Sequence, residues 1–218
     1  MSARQDFPPQ YLPPDITKSY TKDTVEKDVA FILENLPAKH KESMDADDIS
    51  ACRGLLLGVK PAILFAPREE PITDPSAIIN YLNQSGFDMM MSGNFLINRR
   101  VLKDRIEKEK CFAREIGWRD DMSLDEFTAM ANPDHKDFLG AVRTGFLLGF
   151  PVSSIRAFGQ FLEHGDNSLL DRVDMLEPNG GRVYYFVTEK NGQFASDVNE
   201  LKQKVDNAFQ QAGYSTKK

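Results

Sequence analysis

Apolar residues recur at helical spacing along most of this chain, and glycine or proline ends each such segment. The clearest case runs from Asp197 to Ala212 and is followed by Gly213. Its apolar residues share one helix face: Val198, Leu201, Val205, Ala208 and Phe209. Glycine adopts the left-handed conformation that ends a helix at little cost. This pattern predicts a mostly helical protein built from short amphipathic helices.

The same spacing predicts further helices, of which the segment Asn94–Ile116 is the longest. The others begin near Asp23, Asp45, Ser76, Ser123, Asp134 and Val152. Asp23 with Glu26, and Ser123 with Glu126, have the spacing of a capping box, in which two side chains satisfy the first free amides of a helix.

Short apolar runs between the helices predict a small amount of β-structure. Ala62–Ala66 and Phe87–Met91 are candidate strands, whereas the polar stretch Lys39–Met44 is predicted to be a connector. Late in the chain, Arg172–Leu176 and Arg182–Thr188 flank a Pro-Asn-Gly-Gly turn and predict a hairpin. The predicted fold class is therefore α+β, predominantly α-helical, with a small β-sheet or hairpin.

Prolines are concentrated near the start of the chain, with four of the twelve between Phe7 and Asp15. Proline disfavours both helices and sheets, so residues 1–21 are predicted to form an extended arm. Phe7 and Tyr11 are its candidate contacts for a partner with an aromatic-lined groove, because polyproline II segments are already ordered for such binding. A disordered or wrapping tail is the simpler interpretation of the same residues. Residues 22–213 are predicted to form one domain, and residues 214–218 a flexible tail.

A formal net charge of −6 and a pI near 5.2 restrict what the protein binds. Non-specific nucleic-acid binding depends on clustered Lys and Arg, so an acidic chain disfavours it. Two cysteines, Cys52 and Cys111, are too few for a disulfide framework and lack metal-ligand spacing. A reduced, cytoplasmic setting is expected, with neither a secretory signal nor a membrane span.

One glycine-bounded apolar segment occurs twice, as Gly54–Gly58 and as Gly145–Gly149. Pro61 follows the first copy and Pro151 the second. Glycine lets a neighbouring backbone approach closely, and the second glycine of each copy can end a helix in the left-handed conformation. Duplication and coincidence in a leucine-rich chain are both consistent with five residues.

The second copy leads into Leu147–Phe158, which resembles a segment of uncharacterised bacterial proteins of unknown function. The shared features are Leu-Leu-Gly-aromatic-Pro and a short helix with an Ala-aromatic pair. A strand and an amphipathic C-terminal helix follow in those proteins, as Arg182–Thr188 and Asp197–Ala212 do here. Some of them also carry a segment similar to Leu57–Ala62. The resemblance covers roughly the last third of the chain and implies a bacterial source, but no activity.

Residues 145–164 also fit a helix-turn-helix template, with Gly149 in the turn. On this hypothesis the second helix contacts DNA through these residues: Ser153, Ser154, Arg156, Ala157 and Gln160. Pro151 in the turn and the acidic residues that follow the helix argue against DNA, and a plain corner between two helices is the simpler interpretation.

The same helix start suggests an anion site. Pro151 at the first helical position leaves free amides beside Ser153, Ser154 and Arg156, an arrangement suited to a phosphate or another anion. An anion or phosphometabolite ligand is therefore a further alternative.

The most basic segment lies between Arg99 and Arg114, where acidic residues are interleaved. Asp104 and Lys108 have the i,i+4 spacing of a solvated helix face, which is the favoured interpretation. The alternative is contact with nucleic acid or a partner through its first three cations, Arg99, Arg100 and Lys103.

Common catalytic and cofactor signatures do not occur in the sequence, including Gly-rich phosphate loops, His-Glu-x-x-His, Cys-x-x-Cys and Gly-x-Ser-x-Gly. No cofactor and no metal are expected, since the three histidines are widely separated. An enzyme of unrecognised type would combine Asp134 and His135, or Glu163 and His164, with distant residues. The favoured prediction is a non-catalytic protein-interaction or accessory protein that contacts a protein partner or itself. A DNA-binding regulator and an anion-binding protein are the alternatives.

Overall fold

The computed structural model describes residues 20–66, 70–132, 137–165, 170–190 and 196–215, and this part of the chain is α+β and predominantly helical. The helices are α1 (Lys22–Asn35), α2 (Ala38–Ser43), α3 (Ala46–Leu56), α4 (Ser76–Gln84), α5 (Arg99–Lys108), α6 (Lys110–Glu115), α7 (Leu124–Ala129), α8 (Phe138–Leu147), α9 (Val152–His164) and α10 (Ser196–Gln211). The strands are β1 (Ala62–Leu64), β2 (Met89–Ser92), β3 (Phe95–Asn98), β4 (Leu170–Leu176) and β5 (Arg182–Glu189).

An antiparallel sheet with the strand order β1-β3-β2 lies between two hydrophobic clusters. On β3, Leu96 packs into one cluster, while Phe95 and Ile97 pack into the other. This alternation follows from strand geometry, since successive side chains point to opposite faces. The first cluster involves α1, α3, α4, α10 and the β4–β5 hairpin, and the second involves α5 to α9. Phe150 packs against both clusters.

The β4–β5 hairpin is antiparallel, and its pairing shifts near the turn. Arg182 lies opposite Leu176 and Tyr184 lies opposite Met175, so Val183 is an extra residue on β5. Such a β-bulge leaves one residue outside the regular pairing. The predicted hairpin is therefore confirmed, with a bulge that the sequence did not indicate.

Helix α1 begins at a different cap from the predicted one. Thr21 is the N-cap, and its hydroxyl accepts a hydrogen bond from the Thr24 amide at 3.4 Å. The predicted capping box of Asp23 and Glu26 is wrong, because the helix already includes Asp23 and the Glu26 carboxylate binds Arg53 instead.

Helix α7 begins as predicted. The Ser123 hydroxyl accepts from the Glu126 amide at 3.2 Å, and Glu126 in turn accepts from the Ser123 amide at 2.7 Å. Asp45 and Asp48 form the same reciprocal cap at the start of α3. These starts depend on residues three positions apart, which is why local sequence predicts them.

The segment Asn94–Ile116 is not the single long helix that was predicted. Its first part is β3, and the helical part is interrupted at Glu109. Phe95, Leu96 and Ile97 are all buried because the sheet is covered on both faces. A strand buried on both faces shows no alternation of apolar and polar residues, so hydrophobic periodicity cannot separate it from a helix.

The connector predicted at Lys39–Met44 is also wrong, because α2 covers most of it. In this helix His40 is the buried residue, with 2% of its surface exposed. A single buried position in so short a helix leaves no repeating pattern to detect.

Tyr20 and Tyr214 extend the packed region past the predicted arm and tail boundaries. The Tyr20 hydroxyl donates to the Asp28 carboxylate, and its ring meets the Phe87 ring edge-on at 5.3 Å. Tyr214 is buried and donates to Glu26 at 2.8 Å. Phe7 and Tyr11 lie outside the described residues. Among the described helices none has the length and apolar character that crossing a membrane requires.

Candidate functional site

The two copies of the glycine-bounded segment end their helices with the same hydrogen bonds. In α3 the Val59 amide donates to the Gly54 carbonyl at 2.9 Å, and in α8 the Phe150 amide donates to the Gly145 carbonyl at 3.0 Å. A second bond in each copy joins the left-handed glycine to the carbonyl three residues earlier, at 3.1 Å in both. Both ends are therefore Schellman motifs.

These two turns also contact each other. Gly58 has a φ of 70° and Gly149 a φ of 86°, both in the left-handed region. A Cβ atom placed on Gly149 would lie 2.6 Å from Pro61 Cδ and 2.6 Å from the Tyr184 hydroxyl oxygen. The close approach requires glycine, and it brings the proline after the first copy against the end of the second.

Lys60 lies between the two turns and is buried, with 5% of its surface exposed. Its Nζ donates to the Val183 carbonyl at 3.0 Å and lies 3.9 Å from the centroid of the Tyr184 ring. Since no carboxylate of the described residues pairs with it, burial lowers the pKa of Lys60 to about 7. The ammonium supports a carbonyl of the β-bulge.

A groove of about 390 Å³ opens beside the two turns, and we call it the junction groove. Its lining comes from the α3–β1 turn, α5, the α8–α9 turn with the first residue of α9, and one face of α10. Apolar contributions to the lining come from Val59, Pro61, Val101, Pro151, Val152 and Leu201. Its volume falls in the range of small-molecule sites, roughly 300–1,000 Å³.

Arg105 projects from α5 into this region. One of its guanidinium nitrogens donates to the Phe150 carbonyl, and its guanidinium carbon lies 4.6 Å from the centroid of the Phe146 ring. Within the described part of the chain it forms no ion pair, and its Nε is buried without a hydrogen-bond partner. Burial lowers the pKa of Arg105 from its ordinary value.

Lys204, on α10, lines the same groove and likewise has no ion pair within the described ranges. Partial removal of the side chain from water lowers the pKa of Lys204 to about 8, and the nearby positive charges of Arg105 and Lys108 act in the same direction. Lys108 pairs with Glu200 at 2.9 Å rather than with Asp104, its predicted i,i+4 partner. The basic residues of α5 therefore do not all face solvent, because Lys108 contacts α10.

The start of α9, predicted to bind an anion, contacts a carboxylate of the protein itself. The Ser153 amide and hydroxyl donate to Asp197 of α10 at 3.0 and 2.9 Å. Pro151 is the N-cap and has no side-chain cap, so Asp197 supplies the missing acceptor. A negative charge at this position is also favoured by the helix dipole.

The three residues of the predicted binding site have different surroundings. Ser154 is buried with 2% exposure, and its hydroxyl has no partner within the described residues. Arg156 is exposed and pairs with Glu115 at 2.9 Å. Ser153 and Arg156 line a second depression of about 410 Å³, together with Gln160 and part of β5.

Two of the residues that the helix-turn-helix hypothesis assigns to DNA, Ser154 and Ala157, are buried, while Arg156 and Gln160 are exposed. His164 is exposed at the end of α9, whereas Asp134 and His135 lie outside the described residues. Within the described ranges, no three His, Cys, Asp or Glu side chains cluster as metal ligands would. The DNA and enzyme hypotheses stay predictions.

Sequence reasoning did not single out Lys60 or Lys204, and it treated Arg105 as one cation of a solvated face. The sequence holds a weak signal for Arg105, which borders the apolar stripe containing Leu102 and Ile106. Lys60 follows a helix-ending glycine, where a charged residue is ordinarily exposed. Its burial depends on β5, which lies more than a hundred residues away in sequence.

Comparison with protein-family models, with curated proteins and with solved structures finds no match to this chain.

Proposed function

We propose that this protein acts by binding rather than by catalysis, and that the junction groove holds a small anionic molecule. The observation that carries the proposal is that Arg105 and Lys204 line one groove while neither forms an ion pair within the described residues. Lys204 is exposed and lies where it can contact a ligand in this groove. The Arg105 Nε is buried without a hydrogen-bond partner, and such an unpaired N–H group raises the free energy of the folded state. A bound anion would offset this cost and accept charge-assisted hydrogen bonds from both side chains.

The local field supports an anion even though four carboxylates also line the groove. Two of them already have partners, in Ser153 and Lys108. At Lys204 the positive charges of Arg105 and Lys108 act more strongly than the negative charge of Asp104. An anion that contacts Lys204 would therefore also lie near Arg105 and Lys108, although the lining as a whole holds four carboxylates and three cations.

Binding rather than catalysis rests on the sequence, in which the common catalytic signatures do not occur. Seven of the residues that line the junction groove are charged, so polar contacts would hold and orient a ligand there.

Thermal unfolding in the presence of inorganic phosphate tests the proposal. Phosphate should raise the melting temperature of the wild type, because a ligand of the folded state stabilises it by mass action. Lys204→Gln should remove this rise, whereas Lys202→Gln, on the same helix but outside the groove lining, should keep it. An equal rise in the wild type and Lys204→Gln would place the anion elsewhere and contradict the proposal.

The proline-rich arm supports a second proposal, contact with a protein partner that has an aromatic-lined groove. Four prolines within a few residues of Phe7 and Tyr11 favour polyproline II. Tyr20, which follows the proline-rich segment in sequence, is anchored to the packed region through Asp28 and Phe87.

A purified WW domain, whose groove is aromatic-lined, is a suitable probe of the arm. The full chain should bind it, and the chain lacking residues 1–19 should not. Alanine at both Phe7 and Tyr11 should weaken binding without changing thermal stability. Equal binding by the full and shortened chains would overturn the arm's role and leave the groove proposal unaffected.

A further inference from the structure

We propose that the outer edge of β4 is a self-association surface, on which a second copy of this chain pairs antiparallel about Val173 and makes one four-stranded sheet. This surface lies on the β4–β5 hairpin and shares no residue with the lining of the junction groove. The unpaired edge, the order of its charges and an apolar residue at each end support the pairing.

Strand β4 has an unpaired edge within the described part of the chain. It pairs with β5 on one side, and its sheet has no third strand among the described residues. Helices α3 and α9 pack mainly against β5, which leaves β4 at the outside of the hairpin. An unpaired edge presents backbone N–H and C=O groups already in strand geometry, so it is a template for another strand.

The length of β4 favours one register for pairing with its own copy. In a two-fold antiparallel pair, one residue faces its own copy, and every other contact occurs twice by symmetry. Val173 is the middle residue of Leu170–Leu176, so pairing about Val173 gives all seven residues a partner. Any other centre leaves residues at the ends of the strand unpaired.

The charges of β4 favour the same centre. When Val173 faces its copy, Arg172 of each chain lies opposite Asp174 of the other. Opposite charges at such positions stabilise a sheet, whereas like charges directly opposite each other destabilise it. A register centred on Arg172 or on Asp174 would place that residue opposite its own copy, with like charges facing.

Both charged residues can change partners at little cost. Within one chain Arg172 Nε lies 3.3 Å from an Asp174 carboxylate oxygen, and both side chains are well exposed to water. Exposed ion pairs contribute little to stability, so exchange of this contact for the one between chains leaves the hairpin intact.

Apolar residues match at the two ends of the strand. Leu176 has 52% of its surface exposed, and it shares a face of β4 with Leu170, Arg172 and Asp174 because side chains alternate. In the register about Val173, Leu176 faces Leu170 of the other copy, so the pairing covers an exposed apolar side chain twice. The remaining pair, Asp171 opposite Met175, adds no contact between like charges.

The proline-rich segment of the same chain is a poorer occupant of this edge. Four prolines lie between Phe7 and Asp15. Proline has no backbone N–H and cannot donate to a strand ladder. A second copy of β4, in contrast, supplies a strand of equal length with complementary charges.

Sedimentation velocity of the full chain over a range of concentrations tests the proposal, at about 0.15 M salt to screen repulsion between two acidic chains. We expect the wild type to form a concentration-dependent dimer. Arg172→Glu and Asp174→Lys each place like charges opposite one another, so each should weaken the dimer at least about tenfold. Arg114→Glu and Asp120→Lys make the same changes of net charge at an exposed ion pair outside β4, and should leave the dimer unchanged.

A mixture of the two β4 variants tests the register itself. In a mixed pair the introduced glutamate lies opposite the introduced lysine, and the unchanged Asp174 of one chain lies opposite the unchanged Arg172 of the other. Mixing should therefore restore the dimer that each variant alone has lost. Thermal unfolding of each variant checks that its monomer is folded.

A wild type that stays monomeric into the millimolar range would overturn the proposal. A dimer that Arg172→Glu and Asp174→Lys form as well as the wild type does would place the interface elsewhere. If both folded variants dissociate and their mixture stays monomeric, the register about Val173 is wrong. A dimer that appears only when residues 1–19 are removed would make the arm the occupant of this edge and contradict the pairing of two copies.

Discussion

The Nζ atom of Lys60 lies 3.0 Å from the backbone carbonyl oxygen of Val183, the extra residue of the β4–β5 bulge. A lysine that follows the end of α3 thereby supports the irregularity of a distant hairpin. The ammonium is buried against Tyr184 and has no carboxylate partner in the described part of the chain, so its protonation is linked to folding.

Stability should rise with pH above about 7 because of Lys60. Burial lowers its pKa to about 7 from the ordinary 10.5, so between these values the unfolded chain holds more protons than the folded one. The free energy of unfolding then increases with pH, by up to about 1 kcal/mol per unit. Lys60→Met should reduce the rise, as measured by urea denaturation between about pH 7 and 9. The lowered pKa of Lys204, about 8, adds a rise of the same sign that both proteins keep.

Lys103→Met, at an exposed position on α5, is the matched control and should keep the full rise. The comparison ends near pH 9 because the Cys52 thiol acts in the opposite direction above that value. Burial raises the pKa of Cys52 to about 12 from 9.0, so the folded state is the one that holds the extra proton. Identical slopes in Lys60→Met and the wild type would contradict the assignment.

Alanine should be tolerated much less well at Gly149 than at Gly58. Both glycines are left-handed, and alanine in that conformation costs about 1–2 kcal/mol. At Gly149 the added Cβ would also meet Pro61 and Tyr184 at 2.6 Å, whereas at Gly58 its nearest neighbour is Val101 at 3.8 Å. Overpacking adds about 1–3 kcal/mol, so chemical denaturation should show a larger loss for Gly149→Ala. Equal losses would mean that the two turns do not pack together as described.

Removing Arg53 should destabilise the protein strongly. Its guanidinium pairs with Glu26 at 2.9 Å and with Glu177 at 2.5 Å, and Glu177 is 4% exposed. Arg53→Met leaves a buried carboxylate without its counter-charge, at a cost of about 3–5 kcal/mol near neutral pH. Burial raises the pKa of Glu177, so the loss should shrink as the pH falls and the carboxylate takes up a proton.

The double variant Arg53→Met with Glu177→Gln should recover part of that loss, since the amide carries no charge. Arg114→Met removes an exposed ion pair with Asp120 and should change stability little. A loss in Arg53→Met that is independent of pH, and is not reduced in the double variant, would show that packing rather than charge is responsible.

Asp197 should stabilise the start of α9 although it lies far from that helix in sequence. Its carboxylate accepts from the Ser153 amide and hydroxyl, the role that an N-cap side chain ordinarily fills. Asp197→Ala should cost about 1 kcal/mol, as loss of a helix cap does, and Asp197→Asn should cost less because an acceptor oxygen remains. Denaturation of both variants measures this, with the exposed Asp206→Asn on α10 as control. No difference between Asp197→Ala and Asp206→Asn would refute the capping role.

Local sequence predicted the helix ends better than the strands. The capping box of Ser123 and Glu126 depends on residues three apart, and the left-handed Gly149 depends on its own conformational freedom. Strand β3 was missed because Leu96 packs on one face and Ile97 on the other, so both positions are apolar. The pattern of a half-buried strand was therefore absent.

The candidate site was only partly predictable. The turn at Gly149 and Pro151 was recognised from sequence and does line the junction groove. The cations Arg105 and Lys204 were not recognised as a pair, because they are almost a hundred residues apart and each lies in a helix with many charged residues. Likewise, nothing in the sequence near Ser153 indicates that Asp197, forty-four residues later, accepts a hydrogen bond from the Ser153 amide.

By itself the sequence determined the α+β class, most helix boundaries and the two glycine turns, because helical periodicity, capping and left-handed glycine act over a few neighbouring residues. Only the tertiary structure decided which charged side chains lose water and which find a counter-charge. Lys60, Arg105 and Asp197 look like ordinary surface residues in the sequence. Their electrostatic roles arise from elements that are distant in the chain and adjacent in the fold, since desolvation and ion pairing depend on distance in space.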